Sequence, residues 1–159
     1  PVIKFMEAKE ILMKKFKYKP SDMKDFDPEE EQLLGKYAKK QFNSDFIFVT
    51  HYPSRKRPFY TMDDPDDPEY TLSFDLLFRG MEITSGGQRV HDYFAQVEKM
   101  KRLGMNPDEF DTYLMLHKYG APPHGGLGLG LERLTMHLLG FKNVREAAMF
   151  PRDINRVTP

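Results

Sequence analysis

Residues Gly126-Leu127-Gly128-Leu129-Gly130-Leu131-Glu132-Arg133 alternate glycine with leucine three times before an acid and an arginine. Side chains along a strand alternate between two faces, so this alternation places all three glycines on one face and all three leucines on the other. The leucine face is expected to be core. The glycine face would be bare backbone, flat enough for a planar base or a sugar-phosphate to approach, with Arg133 at its end to stack on a base or meet a phosphate. A strand merely loosened by its glycines is the plain alternative. The run is not a Walker A loop, which needs Gly-Lys-Ser/Thr, nor a dinucleotide fingerprint.

The elements around this strip read as a mixture of helices and hairpins. Phe5, Ala8, Leu12 and Phe16 recur at helical spacing, with Lys and Glu on the other face. Asp27-Pro28 with Glu30 reads as an N-cap, a first-turn proline and a capping-box acid for a second helix through Leu33, Leu34, Tyr37 and Ala38. Phe46–Val49 and Arg57–Met62 read as strands. Asp63–Glu69, five acids and two prolines, reads as a solvated loop rather than a metal site. Ser73–Gly87 reads as two strands around a tight turn at Arg79-Gly80. Helices follow from Val90 to Leu103, after the cap-like Asn106-Pro107-Asp108-Glu109, and from about Glu132 to a stop at Gly140. The tail beginning Phe150-Pro151-Arg152-Asp153 is irregular. Hairpins with flanking helices indicate an α+β domain on an antiparallel sheet.

Composition narrows the function classes. In 159 residues the 24 Lys+Arg balance the 24 Asp+Glu, so any nucleic-acid contact must be local. No cysteine is present, which removes disulfides, thiolate metal sites and a cysteine nucleophile, and fits a reducing cytosol. No apolar run approaches a membrane span and no signal peptide opens the chain, so it reads as soluble and cytoplasmic. The first residue is Pro1, which is expected of a processed chain or a piece of something longer.

Two further groups could carry chemistry. Asp75 and Glu82, at odd separation across the Arg79-Gly80 turn, fall on the same face of a hairpin and would share one cation. Hard oxygen donors of this kind suit Mg²⁺, and otherwise both acids face solvent or pair with Arg79. Nearby Ser85-Gly86-Gly87-Gln88-Arg89 combines paired glycines with an arginine able to fork onto a small carboxylate. A surface turn with an exposed ion pair would produce the same run.

Gly126 to Arg133 resembles the third signature motif of class II aminoacyl-tRNA synthetases. Ser73-Phe74-Asp75, Arg79-Gly80-Met81-Glu82-Ile83, Ser85 to His91, Arg57 to Met62 and the ending from Phe150 to Pro159 resemble aspartyl-tRNA synthetases of the archaeal and eukaryotic type. The resemblance covers nearly the whole chain. It implies the class II catalytic fold, here in part, and activation of aspartate by ATP to aspartyl-adenylate followed by transfer to tRNA(Asp), with tRNA(Asn) as a second acceptor left open.

The resemblance also implies roles for individual residues. Asp75, Glu82 and Ser85 would hold Mg²⁺, Ser85 and Arg89 would bind aspartate, and Glu82, Gly130, Leu131, Glu132 and Arg133 would bind ATP, with Arg133 catalytic. Residues 1–159 are expected to be the C-terminal portion of a catalytic domain, with motif 1, motif 2 and the anticodon-binding domain outside the chain. A full-length enzyme would be a cytoplasmic homodimer, and the isolated chain inactive. An asparaginyl-tRNA synthetase, a related asparagine synthetase, or a non-catalytic nucleotide-binding fragment are the competing readings. The run from Glu82 to His91 resembles the aspartate group better, because asparagine enzymes usually carry another residue between the paired glycines and the arginine.

Overall fold

The computed structural model describes residues 1–158; Pro159, the last residue of the terminal stretch matched to the synthetases, lies outside them. Five strands form one sheet in the order β1 (Val2–Lys4), β2 (Phe46–Thr50), β3 (Ser73–Phe78), β4 (Met81–Arg89) and β5 (His124–Leu129). From β2 to β5 every pairing is antiparallel. The sheet is nonetheless mixed, because β1 runs parallel to β2. Parallel neighbours need a long crossover, supplied here by helices α1 (Phe5–Phe16) and α2 (Pro28–Phe42). Three residues that pass directly into a helix leave no period-2 pattern to read, so β1 escaped the sequence.

The two helices cover one face of β1 to β3. Phe5, Ala8, Leu12, Leu34, Ala38, Ile47, Val49 and Leu77 form the core there, all nearly or fully buried. The start of α2 follows its sequence signature: Asp27 accepts from Glu29 and Glu30 N–H at 2.9 Å, and Glu30 accepts in return from Asp27 N–H at 2.9 Å. Lys9, assigned to the polar face of α1 by periodicity, is instead fully buried. Its ammonium donates to Glu30 at 2.6 Å and to the carbonyls of Asp22 and Asp25 at 2.8 and 2.6 Å, tying down the loop between the helices.

The β3–β4 turn carries Arg79 at φ 50° and Gly80 at φ 81°, the positive pair of a I′ hairpin that matches strand twist. Helix α2 sits directly on this turn. A methyl group on Gly35 would lie 2.5 Å from Gly80 N, so only glycine allows the approach.

Three further expectations change. Arg57–Met62 is not a strand: a 3₁₀ turn at Ser54–Lys56 precedes it, Thr61 N–H bonds back to Pro58 O, and its one bridge is Thr61 with Arg89. Pro53 and Pro58 remove the donors a ladder would need. The acidic loop is exposed only from Pro65 to Glu69. Asp63 instead receives Lys99 at 2.7 Å together with Arg102 and Ser54, and Asp64 pairs with His51 at 3.6 Å. Helix α3 (Tyr93–Arg102) starts later than Val90, and Pro107–Phe110 is a 3₁₀ turn leading into α4 (Asp111–Lys118).

A fourth correction concerns the glycine strip. Strand β5 ends at Leu129 and α5 (Leu131–Leu139) begins two residues later, stopping at Gly140 as read. The leucines are not core: Leu127, Leu129 and Leu131 are 63%, 48% and 63% exposed. Helix α5 touches β4 and lays Met136 inward, but among the described residues nothing covers the leucine face of β5. The platform reading required a buried Leu129, and its exposure overturns that reading.

Candidate active site

Strand pairing alone decides which side chains share a face. Asp75 lies opposite Ser85, Ser73 opposite Gly87, Ser85 opposite Gly128 and Gly87 opposite Gly126. The ladder shifts between Leu76 and Leu77, so Glu82 faces Leu77 while Ile83 is the extra residue of a β-bulge. The bulge turns Glu82 and Ser85 towards each other, and Ser85 Oγ donates to the Glu82 carboxylate. Asp75, Glu82, Ser85, Arg89, Gly126 and Gly128 thus share one face, as the odd spacing of the two acids predicted.

A cleft of about 380 Å³ opens on this face, lined by Arg57, Tyr60, Ser73, Ser85, Gly87, Arg89, Gly126 and Gly128 among others. Asp75 and Glu82 are not among the lining residues; Asp75 is 6% exposed, with Oδ2 accepting from Arg57 at 2.6 Å. Its Oδ1 is buried with no hydrogen-bond partner among the described residues. The Arg57 guanidinium lies 3.8 Å from the Tyr52 ring centre, and burial together with the Asp75 charge pushes the Tyr52 hydroxyl far above its ordinary range.

The irregular segment that carries Arg57 and Tyr60 is fixed from two sides. Val90 N–H bonds Tyr60 O and Met62 N–H bonds Gln88 O, both at 2.9 Å, while α3 contributes Gln96 to Phe59 O at 3.0 Å and Lys99 to Thr61 O.

Residues Gly130 to Arg133 sit outside the cleft lining, at the junction of β5 and α5. Gly130 N–H bonds Ile83 O at 2.8 Å and Arg133 Nη1 bonds Glu82 O at 2.8 Å, so this junction grips the bulge that orients Glu82. Glu31, which sequence reasoning missed, grips it from the other side: its carboxylate accepts from Glu82 N–H at 3.2 Å. Burial raises Glu31 to about 7, opposed by that bond and reinforced by the Glu82 charge. Nothing in the local sequence separates Glu31 from its acidic neighbours on the first turn of α2.

The paired glycines have packing reasons of their own. A methyl on Gly86 would lie 2.6 Å from the Phe74 ring, and one on Gly87 would lie 2.8 Å from Leu72 O. Among the described residues no group of three or more acids and histidines forms a metal cage. Glu82, Ser85 and the unpartnered Asp75 oxygen are instead a sparse set of hard oxygens, which fits Mg²⁺, an ion that takes one or two carboxylates and completes its shell with water and substrate phosphate.

Residues 1–154 match the family model described as tRNA synthetases class II (D, K and N), and the chain belongs to that family. Among characterised relatives, an aspartate–tRNA(Asp/Asn) ligase of Thermus thermophilus is 52% identical over the whole chain, which covers 37% of that protein. An aspartate–tRNA(Asp/Asn) ligase of Aeropyrum pernix is 48% identical, with 36% of its length covered.

Among solved structures, an aspartyl-tRNA synthetase of Entamoeba histolytica superposes with a TM-score of 0.94 at 40% identity, over the whole of this chain and 33% of its own. The asparaginyl-tRNA synthetase of Pyrococcus horikoshii gives 0.89 at 36% identity, over the whole of this chain and 37% of its own. The chain spans little more than a third of the length of the relatives it matches.

Proposed function

We propose that this chain carries the aspartate-, ATP- and Mg²⁺-binding part of the site of an aspartate–tRNA ligase. The observation that carries the reading is Arg89. Arg57, Arg79 and Arg133 are committed to Asp75, to Asp45 and His137 O, and to Glu82 O. Arg89 lines the cleft with no ion-pair or hydrogen-bond partner among the described residues. A free guanidinium on that face is placed to fork onto a side-chain carboxylate, which an amide would satisfy less well. Ser85, on the same face, would hold the polar end of the same amino acid.

Glu82 and Ser85, with Asp75 behind them, would hold Mg²⁺, which when bound supplies positive charge against the ATP polyphosphate. Gly130, Leu131, Glu132 and Arg133 would line ATP from the β5–α5 junction, Arg133 adding positive charge. The reaction is attack of the aspartate α-carboxylate on the α-phosphate, giving aspartyl-adenylate and pyrophosphate, then transfer to the terminal ribose of tRNA(Asp). tRNA(Asn) is a second candidate acceptor. No side chain acts as nucleophile, so the residues work by positioning and charge neutralisation.

The 159 residues would be the C-terminal portion of a class II catalytic domain, with the remaining motifs and the anticodon-binding domain outside them. The working enzyme would be a cytoplasmic homodimer, and no helix among the described residues is long and apolar enough to cross a membrane. ATP–pyrophosphate exchange by the full-length protein tests the assignment. Exchange dependent on aspartate supports it; exchange with asparagine alone, or none with either, overturns it. The isolated chain would show little exchange, since losing one preorganised charge donor typically costs about 10²–10³ in rate.

A further inference from the structure

Gly126 does not have the role that its place in an alternating strip implies. A methyl group on its Cα would lie 2.5 Å from Arg89 Nη2, 2.8 Å from Cζ and 3.1 Å from Nε. The guanidinium therefore rests on the bare backbone of β5. The Tyr60 ring also borders the guanidinium, 5.4 Å from Cζ to the ring centre. Tyr60 is itself held in place by Val90 N–H to Tyr60 O at 2.9 Å and by the neighbouring bridge of Thr61 with Arg89. Gly128, two residues further along the same face, has nothing within 4 Å of the corresponding position and opens onto the cleft. The glycines thus divide their work: Gly128 leaves room for a ligand, whereas the space at Gly126 is filled by the protein's own arginine.

We infer that Gly126 and Tyr60 are positioning residues for amino-acid selection, forming a slot that holds the Arg89 guanidinium at the cleft with its hydrogen-bonding edge free. This rests on the reading of Arg89 as the group that takes the substrate carboxylate. Arginine has many rotamers, and an exposed, unpaired one would spend much of its time elsewhere without such walls. The slot supplies a cation–π contact from Tyr60 and close backbone at Gly126, without engaging the N–H groups that the substrate needs.

The atoms that a methyl at Gly126 would meet are the far end of a flexible side chain, and the backbone there is not in a glycine-only conformation. Gly126→Ala is therefore tolerated by the fold and felt by Arg89. In the full-length protein, Gly126→Ala should raise the aspartate KM by about tenfold or more, as misplacing a binding group by an ångström can. The ATP KM and the kcat at saturating aspartate should stay within about twofold, because neither ATP nor the chemistry touches the slot. Adding Gly126→Ala to Arg89→Lys should cost little beyond Arg89→Lys alone, since both act on one group.

Tyr60→Leu should reproduce the aspartate effect and Tyr60→Phe should not, which keeps the test open if Gly126→Ala does not fold. An unchanged aspartate KM in Gly126→Ala, a parallel rise for ATP, or full additivity with Arg89→Lys would overturn the inference while leaving the assignment of Arg89 intact. An unchanged aspartate KM in Arg89→Lys itself would overturn the assignment, and the inference with it.

Discussion

Arg57 donates to Asp75 at 2.6 Å across the gap between an irregular segment and the middle of β3. One of the acids read as a metal ligand is therefore also half of a nearly buried ion pair. Removing one partner of such a pair leaves an uncompensated charge, so Asp75→Ala should destabilise the protein by about 3–5 kcal/mol. Glu82→Gln should leave the unfolding midpoint nearly unchanged while raising the Mg²⁺ concentration needed for half-maximal pyrophosphate exchange. Urea denaturation and Mg²⁺ titration of the two variants would check the contrast.

Arg89→Lys keeps the charge and loses the fork. Aspartate affinity should fall by roughly tenfold to a hundredfold and ATP affinity should hold, because an ammonium cannot make two parallel bonds to one carboxylate. Separate KM values from pyrophosphate exchange would show it, and an equal loss for both substrates would count against the assignment.

The contact between Gly35 and the Gly80 turn sets how far α2 approaches β4. Gly35→Ala would push a methyl to 2.5 Å from Gly80 N, against backbone that cannot rotate away. The expected cost is about 1–3 kcal/mol, as for other overpacked positions. The displaced helix should also loosen Glu31 from Glu82 N–H, visible as faster amide exchange at Glu82.

Asp27 is held below the usual carboxylate range, first by the Glu30 N–H, with further bonds from Tyr18 and Glu29. A lowered value means that the folded state releases this proton more readily. The stabilisation is present above the ordinary value near 3.8 and is lost as pH falls through the lowered one. Asp27→Ala should cost about 1 kcal/mol at neutral pH and progressively less in acid. Denaturation midpoints at pH 7 and pH 3 would check it.

The parts of this fold that were legible in the sequence are those governed by neighbours along the chain. The Asp27 cap, the Arg79-Gly80 turn and the Gly140 stop each depend on a few consecutive residues and stand where they were read. The positions that misled depend on distant partners. Lys9 carries an ordinary polar side chain until three carbonyl and carboxylate oxygens from the next loop and helix enclose it. Arg57–Met62 has strand composition but makes a single bridge, Thr61 with Arg89, and its Phe59 and Thr61 carbonyls accept from α3 side chains. The leucines of β5 fit a buried pattern, yet burial depends on a layer that these residues do not include. In the site, Asp75 and Glu82 followed from hairpin parity, whereas Ser85 reaches their face only through the bulge at Ile83, and Glu31 and the Tyr60 wall come from elements whose approach no local pattern records.

The five-stranded sheet also has an implied order of assembly. Strands β3 and β4 are joined by the Arg79-Gly80 turn alone, while β1 must wait for two helices before Val2 can meet Phe48, and β5 for two more before Leu129 can meet Thr84. Closing a short loop loses less chain entropy than closing a long one, so the hairpin bearing Asp75, Glu82 and Ser85 has the earliest chance to form. Substitutions in that hairpin should slow folding, with φ-values well above those of β1, where they should mainly hasten unfolding. The face that carries the cleft would then be built outward from this hairpin.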